Sequence, residues 1–126
     1  MAEVVLSGGP IAGRKVTFRP AAAWTDPAPG DLVIITTGAN YEVTECADTN
    51  LPSGIVRAVD KSLTILTVEL FTAGSIQRLL YDGSPTLGDQ VHADRTKGAG
   101  YVEPDASGVG HVVGIDVVAG YVDVIF

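Results

Sequence analysis

At 126 residues, 46% of them hydrophobic, the chain is long enough for one domain with a real core and too apolar to be disordered over most of its length. Fifteen glycines, seven prolines and few aromatics point to many short strands joined by turns. The net charge of −7 is uneven: residues 1–29 hold Arg14, Lys15 and Arg19 against Glu3 and Asp26, whereas residues 30–126 hold five basic and thirteen acidic residues. An acidic body argues against binding nucleic-acid backbones or anionic membranes.

Residues 1–29 show no helical period. Val4-Val5-Leu6 is a short apolar run ended by Ser7-Gly8-Gly9-Pro10, and Lys15-Val16-Thr17-Phe18 reads as a second short strand. The prolines spaced through Pro20, Pro27 and Pro29 favour an extended path. The leader is therefore expected to be an arm lying on its own body or on a neighbour. Val4, Leu6, Phe18 and Trp24 are its apolar contacts. Trp24 has two open readings, an anchor on a partner or a cap on its own core. On the arm reading, removal of residues 1–25 leaves a folded body that no longer binds its partner.

Leu32 to Ile35 is a continuous apolar run, which predicts a strand buried on both faces. Tyr41 to Thr44 alternates, Ile55 to Val59 is a strand, and Leu63 to Phe71 is the longest strand of this half. Ile76 to Tyr81 fits a strand, or the one short helix the chain allows, and Asp82-Gly83-Ser84-Pro85 ends it. Weaker strands follow at Gln90–His92 and Gly100–Glu103. Val112–Val118 and Tyr121–Phe126 form a hairpin across Ala119-Gly120. The prediction is all-β: a compact barrel or sandwich over residues 30–126, with an extended arm over residues 1–29.

Much of the body is written twice. Gly30-Asp31-Leu32-Val33 and Gly38-Ala39-Asn40-Tyr41 answer to Gly88-Asp89-Gln90-Val91 and Gly98-Ala99-Gly100-Tyr101. Gly54-Ile55 answers to Gly114-Ile115, and each is followed by an alternating strand. This predicts two similar halves over residues 30–71 and 88–126.

Chemical motifs are sparse. Gly8 and Gly13 have phosphate-loop spacing, but Arg14 and Lys15 follow where Lys and Ser or Thr are needed. His92 and Asp94 share a strand face, yet nothing in the sequence brings His111 to it as a third metal ligand. Glu42, Glu45 and Asp48 lack the order of a calcium loop and read as a solvated face. Cys46 is alone, so no internal disulfide forms, and it reads as a small buried hydrophobe. No Gly-x-Ser-x-Gly elbow occurs. No enzymatic activity, metal or cofactor is expected. With no signal-like segment and no apolar run long enough for a bilayer, synthesis in a cytoplasm is the expectation.

The residues Gly30-Asp31, Gly54-Ile55, Gly88-Asp89 and Gly114-Ile115, with the closing strand Val122–Phe126, resemble the capsid cement, or head decoration, proteins of tailed bacteriophages. The resemblance covers residues 30–126; the leader departs from the simplest members. It implies a virion protein on the outer capsid surface, with the major capsid protein as partner and a homo-oligomer, a trimer, as its form. Nucleic acid and membrane are not expected partners. The alternatives are a structural β-barrel of a tail or baseplate, and a small-ligand-binding β-barrel.

Overall fold

The computed structural model of the protein describes residues 10–126. Ten strands are joined by turns: β1 (Lys15–Pro20), β2 (Leu32–Ile35), β3 (Glu42–Glu45), β4 (Gly54–Val59), β5 (Leu66–Leu70), β6 (Ile76–Tyr81), β7 (Val91–Ala93), β8 (Tyr101–Pro104), β9 (His111–Asp116) and β10 (Tyr121–Ile125). The all-β expectation holds, and the described residues contain no helix. Ile76 to Tyr81 is a strand, its alternating Gln77 and Leu79 turned inward.

The first five strands close into a barrel in the order β1-β3-β2-β4-β5, with β5 returning to β1. The last five form a sheet in the order β7-β8-β6-β10-β9. These are one plan used twice. In each half the first strand runs parallel to the third (Pro20 beside Val43, Tyr81 beside Val102) and antiparallel to the fifth (Phe18 opposite Leu66, Leu79 opposite Val122). In the second half the remaining gap, between β7 and β9, is spanned by a bridge from Val91 to Val109. Backbone hydrogen bonds join Val112 to Gly88 and Asp89 there.

The Gly-Asp pairs head this arrangement. The Asp31 carboxylate accepts from Ala28 N at 3.0 Å and that of Asp89 from Thr86 N at 2.8 Å. Gly30 and Gly88 sit at φ 95° and 90°, which only glycine adopts freely. Each then donates its N–H to the fourth strand of its half, at Val56 and at Val112.

The equivalences correct the predicted repeat in two ways. It begins earlier, because β1 and β6 are matching strands, not a leader and a bridge. Its fourth strands are also phased differently. Gly54 stands opposite Leu70, and the matching residue beside Val112 and Val124 is Gly110, whereas Gly114 matches Ala58. Both fourth strands bulge at the next outward residue, Arg57 and Val113.

The expected arm gives way for the same reason. Residues 15–20 are a barrel strand. Phe18 and Trp24 are buried with Val33, Val43, Val56, Leu66 and Val68 in the interior of the first barrel. Trp24 therefore caps its own core. Two aromatic rings in a small apolar interior gain more by burial, about 1.5–3 kcal/mol for a ring the size of Phe, than an extended arm gains in water. Val4 and Leu6 lie outside the described residues.

The second interior holds Leu79, Val91, Val102, Val112, Val122 and Val124, and it also takes Leu32, Cys46 and Ile55 from the outer face of the first barrel. Leu32 and Val33 thus point into different cores, which is the two-faced burial their sequence predicts. Beside this seam Glu69 is 5% exposed and accepts from Gly13 N at 2.8 Å, Arg57 Nε at 3.0 Å and Gln77 Nε2 at 2.8 Å. Burial alone would raise its carboxyl, but these three donors outweigh it and hold the group below the usual glutamate range. The halves are joined by both apolar packing and a satisfied polar network.

Candidate functional site

Two regions of the surface carry features that the strand framework itself does not require. The first is an acidic cluster on the outer face of the second sheet. His92 and Asp94 lie two apart on β7 and share a face, as the sequence predicts, and Glu103 is the register partner of His92 on β8. The parallel pairing of β6 with β8 adds Asp82. Asp82, Asp94 and Glu103 bring one carboxylate oxygen each within 4.8 Å of one another. His92 is 8% exposed. Its Nε2 lies 2.7 Å from Glu103 Oε1, and its Nδ1 lies 2.9 Å from Asp105 Oδ2 but outside hydrogen-bond geometry. His111 is elsewhere: it is exposed on β9, with Nδ1 3.1 Å from Gly88 O.

The matching positions of the first barrel are Ala21 for Asp82, Ile34 for His92, Thr36 for Asp94 and Thr44 for Glu103. All four are neutral there and ionisable here, so the cluster is a specialisation of one half and not a requirement of the architecture. Three carboxylates fall short of the six to eight oxygens a calcium site takes. What the cluster does is crowd negative charge. Burial, with the nearby Asp82 and Glu103, raises the Asp94 carboxyl above the usual aspartate range, against the Lys97 N–H that favours its charge.

A raised native pKa supports folding only while the group stays protonated, so this contribution is present below the ordinary aspartate value and is lost as pH rises through the raised one. Asp94→Asn keeps an acceptor for Lys97 N and removes a charge. It is expected to raise thermal stability near neutral pH by about 1 kcal/mol, the upper end of what opposed like charges on neighbouring strands cost. The gain should fade in acid. Melting curves across pH would show it, and a loss of stability at neutral pH would sink this reading.

The second region is an open groove of about 550 Å3 at one end of the first barrel. The segment leaving β1 (Pro20, Ala21, Ala22, Trp24) forms one side, the β4–β5 turn with Leu63 and Ile65 the other, and Arg19 supplies the charge. Trp24 is 5% exposed, and its Nε1 has no hydrogen-bond partner among the described residues. The turn is held firmly: Asp60 accepts from Thr64 N at 2.7 Å and Ile65 N at 2.9 Å. The Ser62 hydroxyl and these N–H groups lower the Asp60 carboxyl to about 2. Leu63 sits at φ 58°, an uncommon conformation for a leucine, and is 41% exposed.

The β9–β10 hairpin occupies the matching place in the second half. Asp116 caps it, its carboxylate accepting from Ala119 N at 2.9 Å, and Gly120 supplies φ 80°. Its tip presents Val117 and Val118, 77% and 100% exposed.

Of the residues singled out in the sequence, the structure brings together Phe18 with Trp24, and His92 with Asp94. Asp82, Asp105, Val117 and Val118 carry no local mark in the sequence as site residues. Glu103 was findable, since the strand pairing that the repeat implies puts it beside His92. Cys46 is 2% exposed, and burial, then the Glu45 charge, pushes its thiol up to about 12, which fits a buried hydrophobe and not a nucleophile. No family model, curated protein or solved structure matches the chain.

Proposed function

We propose that this protein decorates a bacteriophage head, binding the outer surface of the assembled capsid and stabilising the lattice of the major capsid protein. The observation that carries the reading is the duplicated Gly-Asp turn, on which the resemblance to cement proteins rests and which is built the same way at Gly30-Asp31 and Gly88-Asp89. The physics of such a role is compatible with the rest of the molecule. A lattice binder needs a stiff body with exposed contact points, and the two halves share a buried seam and present apolar turn residues at Leu63, Val117 and Val118. Many weak identical contacts on a lattice act together through high effective concentration. The net charge of −7 discourages non-specific aggregation at high local concentration.

The test is to mix purified protein with undecorated heads. Sedimentation with the heads is expected at micromolar protein, which corresponds to about −8 kcal/mol per site. The decorated heads are expected to withstand higher temperature than bare ones. Failure to co-sediment at saturating protein removes the proposal. Electron microscopy of labelled protein on whole particles would separate head from tail or baseplate attachment.

A further inference from the structure

We infer that the Trp24 groove receives the β9–β10 hairpin tip of a second copy of this chain, so that copies join head to tail, the second half of one on the first barrel of the next. Three observations fit the two surfaces to each other. The groove is apolar at Pro20, Ala22, Leu63 and Ile65, and the tip offers two largely exposed valines, Val117 and Val118. An exposed pair of branched aliphatics on a capped turn costs little entropy to dock, because the turn is already ordered by Asp116 and Gly120. The contact is not made within one chain, where Val118 is wholly exposed.

The polar groups complement as well. Arg19 is exposed at the groove and makes no ion pair among the described residues. At the tip, Arg78 is matched by Asp123 at 2.9 Å, which leaves Asp116 as the excess negative charge beside the valines. A carboxylate facing Arg19 fixes the orientation more than it adds affinity.

Such a contact joins two different surfaces of the same molecule. It closes into a ring if the rotation per copy allows and otherwise extends as a chain. The inference concerns free protein and stands apart from the capsid reading, which is tested with heads.

The experiment measures solution mass by sedimentation or light scattering for the full chain and two variants. Val118→Asp spoils the tip at a position with no contact to lose, and Ile65→Asp spoils the groove at a half-exposed one. The natural chain is expected to gain mass with concentration, and each variant alone is expected to associate at least about 30-fold more weakly, the scale of a hot-spot residue. Mixing the two variants is expected to restore one contact and give a one-to-one pair, since Val118→Asp still offers a groove and Ile65→Asp still offers a tip. A natural chain that stays monomeric up to about 1 mM overturns the inference. So does a Val118→Asp protein that associates like the natural one, or a mixture that fails to pair when circular dichroism shows both variants folded.

Discussion

A chain lacking residues 1–25 is expected not to fold. The cut removes β1, which pairs with β5 from Lys15 to Phe18 and with β3 at Arg19 and Pro20, and so opens the closed barrel along both of its seams. It also removes Phe18 and Trp24 from an interior otherwise lined by Val33, Val43, Val56, Leu66 and Val68. Truncating one large buried aromatic costs about 3–5 kcal/mol, and whole domains are stable by only about 5–15 kcal/mol. Losing two aromatics together with a strand exceeds that margin. Far-ultraviolet circular dichroism and thermal melting give the readout: no cooperative transition is expected for the protein beginning at residue 26. A cooperative melt near the parent temperature would mean that β1 and Trp24 are accessories. The result bears directly on experiments with heads, because loss of binding after such a deletion reports unfolding and says nothing about an arm.

The second large effect separates three glycines. A Cβ at Gly54 would lie 2.7 Å from the Glu69 carbonyl oxygen and 2.9 Å from Val68 Cγ1. At Gly110 it would lie 2.6 Å from Val124 Cγ1 and 3.0 Å from the Ile125 oxygen, at a φ of +63°. In each half the fifth strand passes too close for any side chain, and part of the obstacle is backbone that cannot rotate away. Gly54→Ala and Gly110→Ala are each expected to destabilise by about 3 kcal/mol, the upper part of the overpacking range. Gly114→Ala meets nothing nearer than Asp123 Oδ2 at 3.5 Å and is expected to stay within about 0.5 kcal/mol of the parent. Denaturant titration of the three proteins reads the order. If Gly114→Ala and Gly54→Ala fall together while Gly110→Ala is silent, the strand equivalence drawn from the registers is wrong.

That equivalence shows how far the sequence could be read. Strand identity was legible wherever alternation or a two-sided apolar run was strong, as at Leu32–Val33, Leu66–Leu70 and Val122–Val124. The duplication was legible from its turns, because Gly30-Asp31 and Gly88-Asp89 meet a conformational demand that few residues satisfy. The phase of the fourth strands was not. Loop lengths differ between the halves, so the spacing of equivalent residues drifts from Phe18 and Leu79 to Val56 and Val112, and the apparent Gly-Ile match falls four residues out of step. The role of β1 was hidden too. Its partners lie far along the chain, and nothing local in Lys15 to Phe18 says that Leu66 to Glu69 will pair with it. The acidic cluster was half legible: His92 and Asp94 share a face by simple alternation, but Asp82 joins them only through a parallel pairing that leaves no local mark. The hairpin tip needed burial values, since Val117 and Val118 read as an extension of the preceding strand.

The pairing of first strand with fifth in each half also orders events in time. The first strand of each half has no antiparallel neighbour until the fifth exists, so the barrel cannot close before Leu70 has been made, nor the second sheet be completed before Ile125. Leu32, Cys46 and Ile55 must wait longer still, because the interior that buries them belongs to the later half. Distant pairings of this kind place a chain with the slow folders, in the millisecond-to-second range typical of all-β domains. During that interval Leu32 to Ile35 carries apolar side chains on both faces, and like charge on the surrounding acidic residues opposes association of neighbouring nascent chains.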